Sequence, residues 1–372
     1  MKESSINENV LVDQIVLNNI VIKSICDMNH LTEEGIIRTN KHPPYYVAGD
    51  GKTFSSLSIK GDERIVSMRA GISNQRGLPV PFCFLTISVP NDPVKKNLHC
   101  LTVREYKDYI GSIRKYLYKR YGIDIDVSDS GVKEIEINRT LLLDHPYHEY
   151  TRVFSLILKN LPGTLGNQMT FQIPLKDNRE EITYYANSKR TKHSSRYLNF
   201  KIYDKTYCSG RETCSDTSLC RFEIRLIGTQ RICRAFGTNR LSELTDEMIT
   251  DFFYGYIEKN ILNRISKWIK ERNRLIKRII SATKGKGYWL INLLRDCSDW
   301  EIGHQYPLIL DVEELFPIIE AVEKDPRNRS RIKSALRTHS SIHEVHLSRR
   351  DHHKLEEVLE KLKKQEVQEE VL

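Results

Sequence analysis

Long apolar runs are missing from this sequence of 372 residues. No stretch approaches the roughly 18 apolar residues that a membrane-spanning helix requires. The opening residues, MKESSINENV, also lack the apolar core of a signal peptide. With 39% hydrophobic and 29% charged residues, the composition is typical of a globular protein with room for two domains. We therefore expect a cytoplasmic protein that has no membrane partner.

Motifs for nucleotide hydrolysis and for zinc are missing too. No Gly-Lys-Ser/Thr phosphate loop is present, so an intrinsic ATP-driven helicase is not expected. Neighbouring cysteines among Cys208, Cys214 and Cys220 have five residues between them, whereas zinc sites usually begin with a pair about two to four residues apart. The eight cysteines are interpreted as reduced thiols. The histidine-rich segment 339–353 also lacks a zinc spacing, and we interpret it as a basic turn that contacts DNA.

Positive charge is what the sequence has in excess. The net charge is +9, and basic residues are dense in NSKRTKHSSR and in NRISKWIKERNRLIKRIISATKGKGYW. Such an excess favours a polyanionic partner, with nucleic acid as the leading candidate. A solvated helix face is the ordinary alternative for a basic run of this kind.

Two patterns divide the chain. Residues 36–240 predict short alternating strands with two helices between them, which is typical of an α+β domain built on an antiparallel sheet. Residues 241–372 carry helical periodicity that begins with a capping pattern at Ser242, and they predict a helical, DNA-binding region. Residues 1–35 are interpreted as an N-terminal extension.

Three of the predicted strands carry functional side chains on one face and apolar side chains on the other. Because side chains alternate along a strand, each face can be read from the sequence. In chain order, the polar faces hold Glu134, Glu136 and Asn138 in the first strand, Tyr197, Asn199, Lys201, Tyr203 and Lys205 in the second, and Arg221, Glu223 and Arg225 in the third. Solvent-facing strands would explain this pattern as well.

Placed side by side, these faces have the groups that phosphoryl transfer needs. Carboxylates hold a divalent metal, a phenol is a nucleophile that forms a covalent phosphotyrosine, and lysine or arginine offsets charge in the transition state. A tyrosine ester keeps the energy of the broken phosphodiester, so the cut strand can later be rejoined. The sequence therefore suggests strand transfer as well as hydrolysis.

The segments VKEIEINRT, TYYANSKRTKHSSRYLNFKIYDK and CRFEIRLIGTQRICRAFGT resemble, in order and spacing, the rolling-circle replication initiators of filamentous bacteriophages, the gene II protein family. The initiators of small Gram-positive plasmids are similar in the same three strands. The resemblance covers about residues 36–236. It implies a replication initiator that nicks one strand of a double-stranded origin through a 5′-phosphotyrosine and later rejoins the displaced strand.

Carried over by position, the resemblance implies specific roles. Tyr203 is the nucleophile with Lys205 beside it, and Glu136 and Glu223 are ligands for Mg²⁺ or Mn²⁺. The relatives tend to have a third acid near the position of Cys83, so a third ligand is not assigned. Competing nucleophiles are Tyr184, Tyr185 and Tyr197.

Basic residues predicted to contact DNA come from the turn, the strands and the first long C-terminal helix: Arg190, Lys192, Arg196, Lys201, Arg221, Lys267, Lys270, Arg274 and Lys277. The partners implied are origin DNA, single- and double-stranded, with a host helicase and polymerase in a bacterial cytoplasm.

Two alternative functions stay open. One is a relaxase of a conjugative or integrative element with the same chemistry, and the other is a non-catalytic DNA-binding regulator on the same fold.

Overall fold

The computed structural model describes residues 9–40, 42–62, 64–88, 100–165, 167–174, 180–188, 197–208, 218–270, 274, 319–320, 323–338 and 349–364. The strands in these residues are Leu11–Asn18 (β1), Val21–Ile25 (β2), Ile37–Arg38 (β3), Tyr46–Val47 (β4), Thr53–Phe54 (β5), Ser56–Lys60 (β6), Ser67–Gln75 (β7), Leu78–Ser88 (β8), Ile123–Asp126 (β9), Gly131–Leu143 (β10), Asn167–Pro174 (β11), Glu180–Asn187 (β12), Tyr197–Asp204 (β13) and Ser218–Ile227 (β14). The α-helices are Met28–Glu33 (α1), Val103–Tyr121 (α2), Thr151–Asn160 (α3), Lys205–Cys208 (α4), Thr229–Phe236 (α5), Asp246–Ile257 (α6), Pro326–Thr338 (α7) and Arg349–Leu362 (α8).

The fold is α+β, as predicted, and is organised around one large antiparallel sheet. Its strand order is β11-β12-β13-β14-β10-β1-β8-β7-β6-β3. The three strands that carry the polar faces, β13, β14 and β10, are therefore direct neighbours. None of the described helices is long and apolar enough to cross a membrane.

One face of the sheet is apolar and carries the helices. Phe222 on β14 contacts Phe154 of α3, and Phe200 on β13 contacts Tyr256 of α6. Tyr106 of α2 donates to the main-chain oxygens of Asp13 and Ile87. Because alternate residues of each strand point to this core, the polar residues between them point to the opposite face. That opposite face holds the candidate site.

Two predicted helices begin and end where their sequence signals lie. Thr102 and Glu105 form a capping box at the start of α2, and Gly122 ends the helix in a left-handed conformation with φ 64°. By contrast, the predicted cap at Ser242 was wrong. Thr245 caps α6, because its side chain accepts from the main-chain N–H of Met248 at 3.3 Å. A π turn, Glu258–Leu262, then continues α6 toward residue 270.

The N-terminal segment requires a second correction. Residues 1–35 were interpreted as an extension, but β1 pairs with β10 on one side and β8 on the other, in the middle of the main sheet. The reason is long-range pairing, which local periodicity does not reveal. The end of the histidine-rich segment, from Arg349 on, begins α8, which packs against α3 and the 3-10 turn before it. Glu149 lies in that turn, and its Oε2 is 2.5 Å from Lys354 Nζ of α8. The boundary at 240/241 stays a prediction.

Candidate active site

Three carboxylates converge on the polar face of the sheet. Asp13 of β1, Glu136 of β10 and Glu223 of β14 each offer an oxygen within 4.8 Å of the others. Glu136 and Glu223 are buried, at 8% and 2% exposure, while Asp13 is partly open to solvent. The two acids predicted from the sequence therefore lie together, with a third that was not predicted.

Sheet register explains how these side chains meet. Glu223 pairs directly with Lys201 on one side and Asn138 on the other, and Arg225 pairs with Glu136. Residues that pair directly on antiparallel strands share a face, so alternation along each strand is in phase across β13, β14 and β10. This is why the polar faces predicted for the separate strands form one surface.

Asp13 reaches the cluster through a β-bulge. In the pairing of β1 with β10, Val12 faces Ile137 and Gln14 faces Glu136, which leaves Asp13 as the extra residue. A bulge redirects the side chain of its extra residue and interrupts the alternation. Asp13 therefore points to the polar face beside Glu136. With Gln14 on that face, regular alternation would have turned Asp13 toward the core.

Cations flank every acid of the cluster. Lys201 Nζ lies 2.5 Å from Glu223 Oε1, Arg225 Nη1 lies 3.1 Å from Glu136 Oε1, and Arg221 Nη1 lies 3.5 Å from Asp13 Oδ2. Arg225 also binds Glu134 through Nη2 at 2.6 Å. Four carboxylates thus face these three cations, and the buried Lys205 adds a fourth positive charge nearby, since it acts on the Cys100 thiol together with Asp13 and Arg221.

Glu136 has a raised pKa in this site. Burial, together with the neighbouring Glu223 carboxylate, raises the pKa of Glu136 to about 7, although Lys201 and Arg225 act against this increase. Burial disfavours the ammonium charge of Lys201, but the carboxylates of Glu223 and Glu136 outweigh it and raise the Lys201 pKa. The site therefore favours binding a further cation.

The donor set fits Mg²⁺ or Mn²⁺. Both ions prefer oxygen ligands, and carboxylates are their usual protein ligands. A divalent ion would replace the proton on Glu136. An ion-pair network without metal would also satisfy these groups, so cation binding has to be tested directly.

Tyr203 lies next to the acids, as the sequence predicted. Its phenol donates to Glu223 Oε2 at 3.1 Å and also contacts Arg221. Burial and the charge of Glu223 raise the Tyr203 pKa well above its ordinary value of 10.0, so the phenol is protonated at neutral pH. Glu223 is thus the nearest acceptor for the proton that the phenol would lose.

The three competing tyrosines differ in their position relative to the acids. Tyr185 of β12 pairs with Lys201, so it shares the polar face and lies one strand from Tyr203. Tyr184 points to the core and donates to the main-chain oxygen of Thr151 at 3.2 Å. Tyr197 lies four residues before Lys201 on β13, about 13 Å away at strand spacing. Tyr185 is therefore the only one of the three competitors that register places beside the acids.

Two predicted residues have different surroundings from those expected. Lys205 follows the end of β13 and begins α4, where it is buried and its charge acts on the Cys100 thiol. Arg221 is 1% exposed and binds Asp13 and Thr140, so its prediction as a DNA contact is corrected to a position inside the site. The reason is that a central strand of a covered sheet has little access to solvent.

The other predicted DNA contacts fall into three groups. Lys267, Lys270 and Arg274 are exposed on the extension of α6, while Ile265 and Trp268 on the same stretch are buried. Lys201 lies in the site, paired with Glu223. Four of the predicted contacts lie outside the described residues: Arg190, Lys192, Arg196 and Lys277.

The third acid was sought in the wrong strand. Cys83 of β8 is buried on the core side, where desolvation raises its pKa to about 12. The signal that could have identified Asp13 is an isolated acid inside the apolar run VLVDQIVL. It was not found because residues 1–35 were set apart from the sheet.

Comparison with known proteins leaves the identity open. No protein-family model matches the chain, and no curated protein matches it. The resemblance to rolling-circle initiators therefore rests on the three strand motifs, and the function below rests on the geometry of the site.

Proposed function

We propose that this protein is a metal-dependent DNA strand transferase that starts rolling-circle replication by nicking one strand at an origin. The observation that carries the proposal is the convergence of Asp13, Glu136 and Glu223 with Tyr203 and Lys201 on one sheet face. A cluster of carboxylates beside a phenol and a cation supplies the groups that phosphodiester transfer uses.

The chemistry follows from the positions of the side chains. The Tyr203 oxygen attacks phosphorus and forms a new O–P bond, while the bond from phosphorus to the 3′ oxygen breaks. Glu223 Oε2 accepts the phenolic proton, and the departing 3′ oxygen takes a proton from solvent to become a hydroxyl. A bound Mg²⁺ or Mn²⁺ would polarise the phosphodiester. Lys201 lies where it would offset charge on the phosphoryl oxygens.

Tyr185 is the second candidate for the nucleophile. It pairs with Lys201, and its negative form is one of the influences that raise the Lys201 pKa, so phenol and ammonium are close together. Burial and the carboxylate beside Tyr203 disfavour its phenolate. Each tyrosine has one advantage: Tyr203 lies beside the acids, and Tyr185 lies beside the cation.

One observation favours the non-catalytic alternative. Each acid of the cluster already has a cation partner, as an ion-pair network that only stabilises the fold would also have. A DNA-binding regulator would keep this network and form no covalent adduct. A relaxase of a mobile element would form the same adduct, and the genes beside it would distinguish it from an initiator. A host helicase and polymerase are proposed partners, and the bacterial cytoplasm is the proposed location.

The test is a search for the covalent intermediate. The full-length protein is incubated with Mn²⁺ and a supercoiled plasmid that carries its own gene and the flanking DNA, and with a pool of single-stranded oligonucleotides labelled at the 3′ end. A 5′-phosphotyrosine retains the 3′ label on the protein, and the plasmid becomes a relaxed circle. Chelation by EDTA should prevent both products. If the oligonucleotides leave no label on the protein and the plasmid stays supercoiled, the proposal is wrong.

A further inference from the structure

A pair of aromatic rings lies on the polar face of the sheet, away from the acids. Phe82 and Phe84 of β8 are half-buried, and their ring centroids lie 5.3 Å apart in a stacked arrangement. Their neighbours in sequence, Cys83 and Leu85, point to the core. The rings therefore lie on the face opposite the helices, where a sheet usually carries polar side chains.

Cations surround this aromatic pair. Lys133 Nζ lies 3.7 Å from the ring centroid of Phe84, and Arg69 pairs with Phe84 across β7 and β8. Arg69 is exposed, and no carboxylate among the described residues pairs with it or with Lys133. Opposite Phe82 is Gly71, where a Cβ would lie 3.5 Å from the Phe82 ring.

The rings share the sheet face of the acid cluster. Ser88 of β8 pairs with Gln14, and Gln14 pairs with Glu136, so these three residues form one row across the sheet. Phe84 and Phe82 lie four and six residues back along β8 from that row. At ordinary strand spacings they are about 16 Å and about 22 Å from Glu136. That separation equals roughly five or six nucleotides at the stacked spacing of 3.4 Å.

We infer that Phe82 and Phe84, with Arg69 and Lys133, form a stacking platform for the bases of single-stranded DNA that leads to the acid cluster. Exposed aromatic rings on a sheet stack with bases of any sequence, and adjacent cations bind the phosphates. The choice of DNA as the occupant rests on the proposed function and on the cations beside the rings, which pair with no carboxylate among the described residues. The platform holds the strand several nucleotides from the bond that is cut.

The test measures binding without cleavage. Fluorescent oligo(dT) of 4, 8 and 16 nucleotides is titrated in EDTA against the full-length protein and the double variant Phe82→Leu/Phe84→Leu. Leucine keeps the apolar packing but removes the aromatic face. We expect the variant to bind oligo(dT) of 16 nucleotides about five- to a hundredfold more weakly. Oligo(dT) of 4 nucleotides is too short to reach from the rings to the acid cluster. We therefore expect both proteins to bind it more weakly than the wild type binds oligo(dT) of 16 nucleotides.

Matched variants separate stacking from other effects. Tyr118→Leu changes an exposed aromatic residue on α2, 55% exposed, and should bind like the wild type. Arg69→Gln should lower the salt slope of binding by about 0.7, the value for one phosphate on a single strand. Equal binding by the double variant and the wild type would overturn the inference. An equal loss for a 16-base-pair duplex would overturn it too, because a duplex has no free base faces.

The outcome is independent of the nicking proposal. If the double variant loses binding to oligo(dT) but the wild type never forms a covalent adduct, the platform stands and the strand-transfer proposal fails. If the wild type forms the adduct and the double variant binds oligo(dT) normally, strand transfer stands and the platform fails.

Discussion

Asp13 and Glu223 lie on strands that do not pair with each other, yet their carboxylate oxygens come within 4.8 Å. Strand β10 lies between them and contributes Glu136 to the same cluster. The bulge at Asp13 makes this approach possible, because it turns an additional side chain toward the polar face. The cluster therefore forms only because three strands that are far apart in sequence lie side by side in the sheet.

Asp13→Asn should weaken binding of Mn²⁺. The substitution keeps the shape of the side chain and removes the charge, and loss of even an outer partner of a metal site costs about tenfold or more. Electron paramagnetic resonance of free Mn²⁺ measures the change. Asp108→Asn, which alters an exposed aspartate on α2, is the control and should bind as the wild type does. Wild-type affinity in Asp13→Asn would exclude Asp13 as a ligand.

Glu136→Gln and Glu223→Gln should each slow formation of the covalent adduct by about 10²-fold or more, the scale for loss of one group that stabilises transition-state charge. The rates are measured at limiting Mn²⁺. Asp108→Asn is the control, because Asp108 is exposed on α2 and is not part of the cluster. Wild-type rates in both cluster variants would show that these acids do not take part.

The polar faces could be predicted because alternation is regular along β10, β13 and β14. Glu136, Glu223 and Tyr203 were each found from the pattern of their own strand, and register then brought them together. No single strand contains the information that these three strands are neighbours. The order of the sheet depends on pairing between distant segments, and the sequence supplied it only through the resemblance.

Irregular strand geometry limited what the sequence could show. Asp13 was missed because the bulge breaks the alternation and because β1 enters the centre of the sheet from the chain start. Lys205 lies past the end of β13, where α4 begins, yet its charge acts on the Cys100 thiol together with those of Asp13 and Arg221, so its predicted role stays a prediction. Period-two patterns do not show where a strand bulges or ends.

Stability without metal should fall as the pH rises through neutrality. The Glu136 pKa is raised from 4.5 to about 7 in the folded protein, so folding favours the protonated form. This contribution is complete below about pH 4.5 and is lost as the pH rises through about 7. Thermal unfolding in EDTA between pH 5 and 8 measures it.

Glu136→Gln is the control for this pH dependence, because the glutamine side chain is uncharged at both pH 5 and pH 8. The variant should lose less stability than the wild type between pH 5 and pH 8. Mn²⁺ should stabilise the wild type more at pH 8 than at pH 6, since metal and proton compete for the same carboxylate. Identical pH profiles for variant and wild type would contradict the raised pKa.

Tyr203→Phe should abolish the covalent adduct while single-stranded binding persists, because it removes one oxygen and leaves the packing of β13 intact. Peptide mapping of the labelled wild type identifies the modified residue. Tyr197→Phe, on the same strand but about 13 Å from Lys201, should form the adduct normally. Loss of adduct in Tyr185→Phe, with formation in Tyr203→Phe, would assign the nucleophile to Tyr185. Adduct in both variants would remove both residues from consideration.

The basic extension of α6 should supply affinity for duplex DNA that does not depend on sequence. Ile265 and Trp268 hold this stretch against the core, while Lys267, Lys270 and Arg274 are exposed, as the amphipathic pattern predicted. Replacing these three residues with glutamine should weaken duplex binding and flatten its salt dependence by up to about 0.9 per lost phosphate contact.

A matched control removes the same charge elsewhere. Lys115, Lys119 and Arg120 are exposed on α2, and their replacement with glutamine lowers the net charge equally. If only the α6 variant lowers the salt slope, the helix follows the phosphates, because a general change in net charge would affect both variants. Equal slopes in the two variants and the wild type would mean that the α6 cations face solvent and that duplex recognition lies elsewhere.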